Sequence, residues 1–153
     1  MTPRTLPPRT LGSAAVIGFA SGLRSAVGIA SFVHARFAGT PNAALADGVA
    51  ALAIVGESVA DKLPFTPSRL QLPGLLARVA AGGLGAYSLT RRADPETVAA
   101  TIVIGSVAAL AGSYAGAAYR SAASTKVPPV AAALAEDVAA NALAYTAVVN
   151  SRP

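Results

Sequence analysis

The chain has 153 residues, material for one domain, and its charged residues make up 12% against 54% hydrophobic residues, about half the ~25% charge that a water-facing surface ordinarily carries. With no cysteine and a single histidine, His34, disulfide frameworks, iron–sulfur clusters and the usual zinc sites are excluded. The net charge of +5 is spread over termini and loops with no aromatic-interleaved basic surface, which fits juxtamembrane anchors and not nucleic acid as a partner.

The mean hydropathy is +0.55 and the apolar residues come in long blocks, as helices in a lipid bilayer require. Composition therefore predicts an all-α integral membrane helical bundle, and the blocks number five. The first covers about 11–33 and ends in the turn-rich HARFAGTPN. Its start resembles a signal peptide, with Arg4 and Arg9 before an apolar run. However, Gly12, Gly18 and Gly22 interrupt the run, and it continues past Arg24 into AVGIASFV, so an uncleaved first span is expected.

The second block, about 43–60, is closed by Asp61, Lys62 and Pro64, after which Pro67 and Pro73 break any helix. The third, 74–89, is short, about 24 Å at about 1.5 Å per residue. TRRADPE follows, with Asp94 as N-cap, Pro95 in the first turn and Glu96 as a favourable early acid. The fourth block, 98–119, is long enough to span, and Pro128 and Pro129 open the fifth, which runs to about 149.

Glycine supplies two GxxxG patterns, Gly18 with Gly22 and Gly112 with Gly116. In lipid such faces bring helix backbones close, and intramolecular packing is the expected use, ahead of a dimer face. Gly82, Gly83 and Gly85 follow no strand and lack full nucleotide-loop spacing, so they too are expected to serve helix packing.

Blocks one and four begin alike. Val16-Ile17-Gly18 matches Val103-Ile104-Gly105, and without a gap Leu23 meets Leu110. Blocks two and five align Glu57 with Asp137, Asp61 with Asn141 and Leu63 with Leu143. This divides a single transmembrane domain into a first repeat (10–62), a connecting segment with the third helix (63–96) and a second repeat (97–150). One intervening crossing makes the two-helix repeats inverted, an architecture common in transporters. Counting Arg4, Arg9, Lys62, Arg69, Arg120 and Lys126 on one side against Arg36, Arg91, Arg92 and Arg152 on the other leans to a cytoplasmic N-terminus and leaves dual insertion open.

Charges inside the blocks are the candidate functional residues. An ionised side chain at the bilayer centre costs about 2.5–3.5 kcal/mol on insertion scales, so mutual pairing is expected. Glu57 and Asp61 share one helix face, Glu136, Asp137 and Asn141 form the counterpart, and Arg24 and Arg78 are the charge partners. Asp61 reads equally as the end of a span, and Lys62 reads as a headgroup anchor. Arg78 can also snorkel to the interface. His34 is expected to be interfacial and solvated, and the tyrosines to be belt or packing residues. No cofactor is implied, and no metal is defined by these residues.

At SGLRSAVGI around Arg24, ESVADKLPFTPSR at 57–69, RVAAGGLGA from Arg78 and ALAEDVAANAL around Glu136, the sequence resembles a bacterial family known as domain of unknown function 4126. The resemblance spans most of the chain and implies a small multi-pass protein of the bacterial inner membrane. It brings no activity with it. Three functions stay open: a small transporter or channel-like protein, its thin wall calling for a homodimer; a non-transporting scaffold; and a lipid-acting enzyme using paired acids.

Overall fold

The computed structural model describes residues 8–60 and 70–150. Among them lie six helices and no strand: α1 (Pro8–Leu23), α2 (Ser25–Phe37), α3 (Ala43–Ala60), α4 (Leu72–Thr90), α5 (Pro95–Ala123) and α6 (Pro129–Asn150). The all-α expectation holds. Among the described residues two helices, α5 and α6, are long and apolar enough to cross a membrane.

The first apolar block is not one span. It breaks at Arg24, whose backbone is extended (φ −141°, ψ 110°). The pieces have 16 and 13 residues, about 24 Å and 20 Å at ~1.5 Å per residue. They fold back on each other: Gly28 lies against Ser21, and Gly85 of α4 approaches both Gly28 and Ile17. α1 and α2 thus form a hairpin with Arg24 at its tip.

Pairwise contacts set the directions. Glu57 of α3 meets Ser25 and Ala26 at the start of α2, while Asp47 meets His34 near its end. Thr90 of α4 meets Thr101 of α5, and Ser106 reaches back to Val79. On α6, Asp137 meets the hairpin tip and Ala147 packs with Ala14 and Ile17. If α1 rises, α2 falls, α3 rises, α4 falls, α5 rises and α6 falls.

The helix directions give the inverted repeat, as aligned, no support. Gly18 packs on Gly105 and Gly22 on Ala109, so α1 and α5 run parallel. An in-plane two-fold axis needs them antiparallel, as α3 and α6 are. The matched VIG segments are neighbours across one tight parallel contact.

That contact is made backbone to backbone. A β-carbon at Gly18, Gly22 or Gly112 would fall on the carbonyl oxygen of Gly105, Ala109 or Phe19. One at Gly116 would lie 3.0 Å from Glu136 and 3.1 Å from Leu23. Both GxxxG patterns therefore serve packing within the chain, as Gly82 does against Gly105 and Gly83 does against Ser106.

The interior is small and partly polar. Ala14, Ala20, Ala86, Ala109 and Ala140 are fully buried, as are Ser21 and Thr101, and the largest fully buried side chains are Ile17, Thr101 and Ser21. Large apolar side chains face outward: Leu45, Val49, Leu52 and Val55 on α3, Val103 and Val107 on α5, Leu134 and Val138 on α6. Proline and capping signals act as the sequence indicates. Asp94 accepts from the Thr97 amide (2.9 Å) and hydroxyl (2.7 Å), with Pro95 next. Pro73 sits in the first turn of α4, which starts two residues before the expected 74.

Candidate functional site: a charge network around a broken helix

A helix break inside a bundle frees backbone groups that normally bond within the helix. At Arg24 each end finds a charged partner. The last carbonyls of α1 accept from Arg78 of α4: Nη1 donates to Gly22 (2.9 Å) and Leu23 (2.7 Å). Ser113 of α5 adds a hydroxyl bond to the Gly22 carbonyl at 3.3 Å. The first amides of α2 donate to Glu57 of α3: Ser25 to Oε1 (3.0 Å) and Ala26 to Oε2 (2.6 Å). The Ser25 hydroxyl joins at 2.8 Å. An anionic carboxylate is the favoured partner for a helix N-terminus, where amide hydrogens and the macrodipole both present positive charge.

The two caps are tied together. Arg78 Nη2 lies 3.6 Å from Glu57 Oε1. Arg24 itself points across the tip and pairs with Asp137 of α6, its side chain 3% exposed. One level further, Glu136 bonds Arg120 of α5 at 2.5 Å, and the Glu136 side chain is 2% exposed. Gly116 lets Glu136 sit beside Leu23. Among the described residues, three arginines and three acids thus ring the hairpin tip, each in a named ion pair.

Of the residues expected at the site, Glu57, Glu136, Asp137, Arg24 and Arg78 are brought together. Arg78 is buried and reaches backbone carbonyls, so it does not snorkel. Asn141 is not in the network: its side chain is exposed and donates to the Asp137 carbonyl of its own helix at 2.8 Å. It lines a separate groove of about 570 Å³ with His34 and Tyr145. Asp61 and Lys62 lie outside the described residues. His34 is exposed and pairs with Asp47 at 2.9 Å. Tyr87 packs by Phe32 at 6.1 Å, while Tyr114, Tyr119 and Tyr145 are exposed.

Sequence reasoning missed three members. Arg120 reads as a headgroup anchor because it lies near the end of its block, yet it stands one turn beyond Gly116, the glycine that admits Glu136. Ser25 and Ser113 carry no distinguishing signal beyond being small polar residues in apolar helices.

A crevice of about 320 Å³, lined by Phe19, Leu23, Ala115, Tyr119, Ala135, Glu136 and Ala139, reaches the network from the bundle surface. Chemically, the paired network holds a backbone break rigid. A pair that parts presents a guanidinium or carboxylate to whatever replaces its partner. Compared with known proteins, the chain matches no family model, no curated protein and no solved structure.

Proposed function

We propose that the chain is a multi-pass protein of the bacterial inner membrane that moves a small ion or solute past the charge network at the hairpin tip. The observation that carries this reading is a backbone break capped by Arg78 and Glu57 inside a bundle whose large side chains face outward. In a bilayer, irregular backbone and ionised groups are tolerated only where protein or a wet cavity covers them, and they mark transport paths and ion sites. Glu136 is the charged residue among those lining the surface crevice. Belonging to the domain of unknown function 4126 family is part of this proposal and adds location, not activity.

The test is flux in proteoliposomes. Glu136→Gln and Asp137→Asn reduce transport at least tenfold while folded protein is retained, and Asn141→Ala leaves it unchanged. Equal flux in all three removes the acids from the mechanism.

A second reading, a non-transporting scaffold, is favoured by the balance of three cations against three anions among the described residues of the network. A network so matched can serve only to fix helix register. Exchanging a whole pair for apolar residues then leaves function intact, and crosslinking recovers one dominant protein partner.

A further inference from the structure

We propose that α3 is a detachable strap on the hairpin, with Glu57 as its latch. This rests on the membrane reading above and not on transport.

The packing of α3 is one-sided. It packs principally on α2. Of its described side chains only Ala46 and Ala50 are buried, while Leu45, Val49, Leu52 and Val55 face outward. In water, parting α3 from α2 would expose apolar surface at a large cost. In lipid it does not, because acyl chains cover the uncovered faces about as well as the partner helix did. Helix-to-helix packing and the polar ties therefore set the equilibrium between closed and open states, and the ties are its switchable part.

Those ties are unequal. Glu57 makes three hydrogen bonds to α2 and an ion pair to Arg78 at the inner end. At the other end, among the described residues, only His34 with Asp47 ties α3 to α2, both about half exposed (55% and 49%). That outer end also carries the connection to α2, residues 38–42, where Gly39 takes a left-handed φ of 78°. With its outer end hinged at 38–42 and its inner end continuing toward α4 through residues 61–69, which lie outside the described residues, α3 parts from α2 by a swing of the inner end once Glu57 lets go. The swing uncovers the amides of Ser25 and Ala26 together with Arg78, so opening exposes the positive side of the hairpin tip. Among the described residues, the pairing of Arg24 with Asp137 and the bonds from Arg78 to the Gly22 and Leu23 carbonyls involve no residue of α3 and stay made.

The chain has no native cysteine, so paired spin labels can be placed without background. Labels at Leu52→Cys on α3 and Val107→Cys on α5, both exposed, report the swing in the full chain held in lipid nanodiscs. Glu57→Gln raises the long-distance population at least threefold, and Asp137→Asn does not. Ser25→Ala, which removes one tie and leaves the carboxylate in place, gives a smaller rise in the same direction and serves if Glu57→Gln fails to fold. An unchanged distribution in Glu57→Gln, or in Ser25→Ala where that variant stands in, overturns the strap, as does an equal rise in Asp137→Asn. A monomer that folds in plain buffer without lipid overturns the membrane reading instead.

Discussion

Replacing Arg78 by methionine tests the account of the helix break directly. Arg78 is 5% exposed and donates to two carbonyls at 2.9 and 2.7 Å while lying 3.6 Å from Glu57. Hydrogen bonds from a charged group contribute about 1.5–3 kcal/mol each, so the two carbonyl bonds set a loss of about 3–6 kcal/mol. Removing one partner of a buried pair costs about 3–5 kcal/mol by itself, because the other charge is left uncompensated. The two figures overlap in what they count and are not summed. Ser113 retains a bond to the Gly22 carbonyl at 3.3 Å, which offsets about 0.5–1.5 kcal/mol. The methionine stem refills most of the volume. The expected destabilisation of Arg78→Met is therefore about 3–4 kcal/mol. Arg78→Lys keeps the charge but replaces a planar fork by a point donor, so it recovers about half of that loss. Reversible unfolding in bicelles, followed by steric trapping or added SDS, measures both. A loss below about 1 kcal/mol for the methionine variant would refute the claim that Arg78 caps the break.

Two further outcomes follow from the geometry. In a double-mutant cycle of Arg24→Met with Asp137→Leu, each single change costs about 3–5 kcal/mol and the pair recovers about 2 kcal/mol of the sum, measured by the same unfolding assay. Additive losses would mean that the two side chains do not pair. Gly22→Ala places a β-carbon on the Ala109 carbonyl and loses about 2–3 kcal/mol, whereas Gly12→Ala, with nothing within 4 Å, gains about 0.5–1 kcal/mol as a helix substitution. Equal thermal shifts for the two alanines would contradict the close α1–α5 packing.

Much of this was legible in the residues, and the reason differs by element. Asp94 and Pro95 announce a helix start because capping is local chemistry. Prolines bound α4 and α6 for the same reason. That Arg24 and Arg78 would find partners among Glu57, Asp61, Glu136 and Asp137 followed from cost alone, since unpaired charges in an apolar chain have nowhere else to go; which acid each would take did not. The hairpin did not follow. No proline marks Arg24, and a continuous apolar run on both sides reads as one span. The repeat gained no support: α1 and α5, its matched halves, run parallel in one close contact, and alanine and glycine recur wherever helices pack closely. Asn141 misled because a position one turn from Asp137 shares its helix face, yet the hairpin tip ends at the level of Asp137.

The break and the charges explain each other. Without the break, Arg78 and Glu57 would be two ionised groups inside an apolar bundle with no backbone to satisfy. Without them, the Gly22 and Leu23 carbonyls and the Ser25 and Ala26 amides would be orphaned in a region where each unsatisfied polar group costs about 1–3 kcal/mol. Each liability is the other's partner: the α1 C-terminus attracts a cation, the α2 N-terminus attracts an anion, and the dipoles of both helices add to both preferences. This fixes the sign of each side chain. A swap that put Glu at 78 and Arg at 57 would preserve net charge and the 78–57 ion pair while facing both helix ends with the wrong charge. An account based on ion pairing alone predicts that such a swap is tolerated. Capping predicts that it fails.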